Sequence, residues 1–182
     1  MRNKAHNLTT YTFTKEESLL LDANIWLYLF PAPSDKSTYA SANYSAALKS
    51  MIQTGTQLVL DALILSEYLN AYCRIEYKAN APQGMTFKQF RNSANFLKVG
   101  TTATGYSKKI LSLCQRHNNV FVSADIKQVL GDFEIGIYDF NDGLLADSCR
   151  QNGWKLVTHD GDFTEGGIDV LTTNGRLLAA CP

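Results

Sequence analysis

Residues 18–30 read SLLLDANIWLYLF, an apolar run broken by one carboxylate, Asp22. The first four residues are too few and too evenly apolar for a one-sided hairpin strand, so they read as a short strand buried on both faces. Residues 24–30 then read as a short helix, stopped by Pro31 and Pro33, which cannot continue it. A carboxylate in such a run is costly unless something pairs with it. Asp22 therefore either caps the helix that follows or is placed at the strand's end to hold a partner.

The same alternation continues outward from this stretch. A helix is expected over 38–54, ending before Gly55, and QLVL at 57–60 reads as a second strand. Asp61 is placed to cap the next helix, in which Leu63, Ile64, Tyr68, Ala71, Tyr72 and Ile75 keep the rhythm of one buried face. APQG at 81–84 breaks the chain. Helices are expected near 86–98 and 105–117, with Gly100 and Gly105 marking a gap between them. NVFVS at 119–123 reads as a third strand, followed by a loop through Asp132 and Asp139. A helix started by Asn141 or Asp139 and closed by Gly153 comes next. KLVTHDGDF, beginning at Lys155, gives a fourth strand, and IDVLT at 168–172 a fifth. Short apolar strands alternating with helices predict the α/β class: a three-layer α/β/α sandwich around a central, mostly parallel sheet of about five strands.

A length of 182 residues fits one domain. The expected organisation is an N-terminal extension over 1–17 and a single domain over 18–182, with an enlarged basic helical region at about 74–116. A composition 45% hydrophobic and 19% charged argues against disorder. The polar start lacks the apolar core of a signal peptide, and no run approaches the roughly 18 apolar residues of a membrane span, so a soluble cytoplasmic protein without a membrane partner is expected. Cys73, Cys114, Cys149 and Cys181 form no C-x-x-C pair, and His6, His117 and His159 are equally scattered. That usage argues against a zinc knuckle or a redox motif.

Net charge is zero, yet residues 74–116 carry eight basic side chains against the single acid Glu76. Residues 118–172 carry ten acids against Lys127, Arg150 and Lys155. This asymmetry fits either a polyanion-binding surface beside a metal site or a solvated helical face.

In parallel α/β sheets, ligands bind outside the carboxyl ends of the strands. Asp22, Glu67, Asp142 and Asp160 all fall on that rim. Gathered like charges raise one another's pKa unless a cation neutralises them, and Mg²⁺, a hard ion with oxygen ligands, suits such a set. Each acid also has a plainer reading. Glu67 is placed to pair with Arg74, Asp142 favours its helix N-terminus, and Asp160 precedes Gly161 in a turn pair. Asp162 is an alternative ligand to Asp160. Asp147 reads as a solvent residue or a partner of Arg150.

LDANIWLYLF, LSEYLNAY, NDGLLADSC and LVTHDGDF, in this order, resemble the four acidic motifs of the PIN-domain nucleases, including the VapC-type toxins, over roughly residues 18–172. The resemblance implies a PIN-like sandwich in which Asp22, Glu67, Asp142 and Asp160 are the catalytic, metal-binding carboxylates. Asn24 and Thr158 would orient them by hydrogen bonds. It implies an endoribonuclease using Mg²⁺ or Mn²⁺ to hydrolyse RNA phosphodiesters and, through the likeness to VapC-type toxins, the toxin of a type II pair with an antitoxin partner and a homodimer. In the basic region Arg74, Lys78, Lys88, Arg91, Lys108 and Lys109 are candidate RNA contacts. Two other functions are consistent with parts of this pattern: a non-catalytic RNA-binding or scaffold domain, and a phosphatase with Asp22 as nucleophile.

Overall fold

The computed structural model describes residues 1–36, 41–118 and 121–181. Its centre is a six-stranded sheet, every pairing parallel, formed by β1 (Lys4–Asn7), β2 (Ser18–Leu21), β3 (Gln57–Asp61), β4 (Gln115–His117), β5 (Lys155–Val157) and β6 (Asp169–Thr172). The spatial order is β1-β6-β5-β2-β3-β4. The helices are α1 (Ala23–Leu29), α2 (Ser41–Thr54), α3 (Ala62–Asn80), α4 (Phe87–Arg91), α5 (Phe96–Leu113), α6 (Ile126–Glu134), α7 (Phe140–Asn152) and α8 (Gly175–Ala180). α1 packs on α2 and α3, and α3 on α5, while α6 packs on α7. The result is the α/β/α sandwich that the sequence pattern predicts.

Leu19, Leu20 and Leu21 are at most 1% exposed because β2 lies between β3 and β5 with both faces covered. From β2 the chain builds outward through β3 and β4, then returns to place β5 and β6 on the other side. The crevice between β2 and β5 is therefore the point at which the winding reverses, the usual ligand position in such sheets. Leu21 pairs with Val157, so Asp22 and Thr158 leave adjacent strands side by side. Asp22 N–H still donates to the Val157 carbonyl at 3.0 Å, which fixes that register.

Local chemistry sets the helix ends. Asp61 accepts from Leu63 N–H at 2.7 Å and caps α3, and Asp139 accepts from Asp142 N–H at 2.9 Å and caps α7. Gly153 closes α7 with φ +66°, a left-handed conformation that costs glycine little.

Several sequence expectations are corrected. The segment before Ser18 supplies β1, which pairs with β6 along its full length and brings the sheet to six strands. The third strand of the core half is β4 at Gln115–His117; of the expected strand at 119–123, Phe121–Ser123 form a turn and residues 119–120 lie outside the described residues. The tight apolar spelling of NVFVS was misleading, since Phe121 and Val122 are exposed. Gly100 and Gly105 are inside α5, whose ladder tolerates them because its other residues bury one face through Ala103, Ser107 and Ile110. The stretch read as a loop through Asp132 contains α6, capped by Asp125, which accepts from Gln128 N–H at 3.1 Å. Of the helix expected over 38–54, residues 38–40 lie outside the described residues. Asp147, read as a solvent residue or a partner of Arg150, takes the second role: it is buried and accepts from Arg150 at 3.3 Å and from Gln151 at 2.7 Å.

Candidate active site

Asp22 is 4% exposed, and although it occupies the N-cap of α1 its side chain makes no capping hydrogen bond. Its Oδ2 instead accepts from the Thr158 hydroxyl at 2.6 Å and the Asn24 amide at 2.7 Å. Thr158, fully buried, is the hub. Its Oγ1 also accepts from Asn24 Nδ2 at 3.1 Å and from Asp160 N–H at 3.0 Å. Asn24 Oδ1 accepts from His159 N–H at 3.2 Å. The start of α1 and the turn after β5 are thus tied into one frame around a single carboxylate. Burial pushes the Asp22 carboxyl above its ordinary value, the Thr158 hydrogen bond opposes that, and the charge of Asp160 adds to it.

Glu67 stands in the second turn of α3 and is exposed by surface area. Partial desolvation raises its pKa, followed by the charges of Asp22, Asp139 and Asp160. Asp142, in the first turn of α7, is pushed up to about 8, first by burial and then by Asp139, Asp22, Asp160 and Glu67. Every charge acting on it is negative. Four carboxylates expected from the sequence therefore feel one another across the crevice, although they come from four separate elements.

Asp160 Oδ1 accepts from Asp162 N–H at 2.9 Å, which closes a local turn. Asp162 lines the cleft but is exposed, and it is absent from the charges acting on Asp22, Glu67 and Asp142. Asp139 is the acid that sequence reasoning missed: read only as a helix starter, it also bears on Glu67 and Asp142. Its signal was the spacing D-x-x-D across a helix start, which puts an N-cap carboxylate and a first-turn carboxylate at one end of the helix. Together Asp139, Asp142, Asp160 and Asp162 line a cleft of about 610 Å³.

His159 was read only as a scattered histidine. Its Nδ1 lies 2.9 Å from the Tyr44 hydroxyl, and its ring stands edge-on to Tyr28 and Tyr44, which stack on each other at 5.6 Å. Burial lowers its pKa, with the charge of Asp160 opposing. Tyr28 is half-buried in that stack.

The donor set fits a hard divalent cation: oxygen ligands only, mutually repelling, with the most buried one held in orientation by two hydrogen bonds. Among the described residues no three His, Cys, Asp or Glu side chains form a preformed chelating group, so the carboxylates act on one another through space. Arg74 and Lys78 on α3, Lys88 and Arg91 on α4, and Lys108 and Lys109 on α5 are all exposed, and none is ion-paired among the described residues. Arg74 lies over the Phe87 ring at 4.9 Å and Lys109 over Tyr106 at 5.7 Å. No helix among the described residues is long and apolar enough to cross a membrane.

Comparison with solved structures finds the crystal structure of PAE2754 from Pyrobaculum aerophilum similar, with a TM-score of 0.50 and 20% identity, covering 90% of this chain and 93% of that one. At that identity the likeness concerns the fold. No curated protein matches the sequence. The PIN domain family model matches residues 19–168, from within β2 to the residue before β6, and so takes in all four rim carboxylates and the Thr158 hub. On that match, the chain belongs to the PIN domain family.

Proposed function

We propose that the chain is a metal-dependent endoribonuclease that hydrolyses RNA phosphodiesters at the acidic cleft lined by Asp142 and Asp160, with Asp22 and Glu67 bearing on it from the end of β2 and from α3. The PIN domain is in general a nuclease fold. The observation that supports the finer reading is the crowding of carboxylates at Asp142, whose carboxyl is raised to about 8 first by burial and then by the charges of Asp139, Asp22, Asp160 and Glu67. An idle cluster of this kind would only destabilise the fold.

In this reading the four carboxylates hold Mg²⁺ or Mn²⁺, with Asp139 adding negative charge behind Asp142. A bound ion of this type stabilises charge developing on phosphate and acidifies a water at neutral pH. Thr158 and Asn24 fix the Asp22 carboxylate through its Oδ2. Asp142 must give up its proton for the ion to enter, since metal ligands bind deprotonated. The exposed cations of α3, α4 and α5 hold the phosphate chain, with contacts that weaken as salt rises. The toxin role, with an antitoxin covering the cleft and a homodimer, belongs to the same proposal and rests on the resemblance of the four motifs.

The direct test is incubation of the purified chain with a mixed RNA pool in Mg²⁺, Mn²⁺ or chelator. Cleavage is expected with metal and none with chelator; cleavage that persists in chelator would remove the metal from the mechanism. For the toxin role, induced expression should arrest growth, and harmless expression of an active enzyme counts against it.

Thr158→Val keeps shape but removes the hydroxyl from Asp22 and Asp160. Mn²⁺ affinity is expected to fall about 10- to 100-fold, and stability by about 1 to 3 kcal/mol because a buried acceptor loses its donor. Calorimetric titration and thermal unfolding measure the two; unchanged metal affinity would show that Thr158 serves the fold alone.

A further inference from the structure

A second cavity, of about 620 Å³, opens between α3, α5 and the turn after α1, and shares no lining residue with the acidic cleft. That volume is in the range of small-ligand sites. Pro33, Phe90 and Val99 give it apolar walls, and Glu76 and Asn80, one turn apart on α3, form a polar end. Glu76 is 5% exposed. Its Oε1 accepts from Ser34 N–H at 2.8 Å, and its Oε2 from the Ser34 hydroxyl at 3.2 Å and Asn80 Nδ2 at 2.9 Å. A carboxylate has about four acceptor positions, so about one is left, on Oε1.

No cation pairs with Glu76 among the described residues. Asn80 directs its amide hydrogens to Ser34 and to the side chain and carbonyl of Glu76, so its Oδ1 is left as an acceptor. The polar end therefore offers acceptors and asks for a ligand edge made of donors. Lys98, exposed and without a carboxylate partner, stands in the wall of the same cavity. A guanidinium or ammonium ligand would suit Glu76 and Asn80 but meet the charge of Lys98. Guanine presents adjacent N1–H and N2–H donors, and its phosphate suits Lys98.

We propose that this cavity binds a guanine nucleotide, the base edge on Glu76 and Asn80 and the phosphate toward Lys98. On an RNA strand the same pocket would take an unpaired guanosine, giving the chain a base preference away from the cleft. Recognition of splayed-out bases by their edges is the common mode for single-stranded RNA.

Calorimetric titration of the full chain with GMP, IMP, AMP, CMP and UMP, in chelator, tests this. GMP should bind one to one, with IMP, which lacks the N2 amine, and AMP weaker by about tenfold or more, the worth of a hydrogen bond to a charged group. Lys98→Ala should weaken GMP about two- to fivefold. Val99→Trp should fill the cavity and abolish binding with the thermal midpoint retained, and Glu76→Gln should erase the preference for GMP over IMP. Equal binding of all five nucleotides, no binding at millimolar concentration, or tighter binding of agmatine than of GMP would overturn the proposal. Because no cleavage is read, none of these outcomes depends on the cleft being catalytic.

Discussion

Asp142→Asn is expected to reduce RNA cleavage on the order of 10³-fold, since several kcal/mol of charge stabilisation at phosphate depend on an ion that this carboxylate helps to hold. Asp22→Asn should lose a similar amount. Both substitutions preserve shape, so circular dichroism should show an intact fold. Asp160→Asn and Asp162→Asn separate the two candidates in the turn after β5. Asp160 acts on Asp22, Glu67 and Asp142, whereas Asp162 is exposed and acts on none of them. The Asp160 variant should therefore lose most activity and the Asp162 variant little. Full activity in Asp142→Asn, measured at saturating Mn²⁺, would remove the acidic cleft from the chemistry.

The second large effect is on stability as a function of pH and metal. Asp142 rises from an ordinary 3.8 to about 8 in the folded chain. Between those values the folded chain retains a proton that the unfolded chain has lost, so stability falls as pH rises toward 8. Glu67 and Asp22 are shifted in the same direction. His159 is shifted downward from 6.5, so just above that pH the unfolded chain still binds part of a proton that the folded chain has lost, and the small opposing rise in stability fades within about one pH unit. In chelator the thermal midpoint should therefore drop from pH 6.5 to 8.5. A divalent ion at about 100 times its Kd should add about 2.7 kcal/mol, which is about 5 to 10 °C for a chain of this size. The gain should be larger at pH 8.5 than at 6.5 because the ion competes with protons. Asp142→Asn should flatten the slope in chelator and remove most of the gain. A midpoint indifferent to both pH and metal in the unaltered chain would contradict the mutual repulsion described for the cleft.

Much of this arrangement is legible in the sequence for a physical reason. A strand buried on both faces must be spelled almost wholly with apolar residues, so SLLL and QLVL announce themselves and their last positions are readable as the rim. Asp22 stands out because the run around it has almost no other polar residue. β4 could not be found that way: Gln115 and Arg116 are exposed on an edge strand, and edge strands need no apolar spelling. β1 escaped for the same reason, since Lys4 and Asn7 face solvent and only pairing with β6 makes KAHN a strand. Asp139 escaped because capping accounts for it fully at the local level, and its second effect arises only when α3 and the turn after β5 are brought near. The Glu76 pocket was hidden further, since Ser34 and Glu76 meet only through the packing of α1 against α3.

The reversal of winding between β2 and β5 has a consequence for the order in which the protein is made. Asp22 leaves the ribosome 136 residues before its hydroxyl partner Thr158, with Asp160 following just after, and the chain emerges at about 5 to 20 residues per second. A partly translated chain thus carries the first carboxylate without its frame. Under the proposed function, the cleft would stay unframed until Thr158 and Asp160 have emerged, so the order of the strands itself would delay its activity.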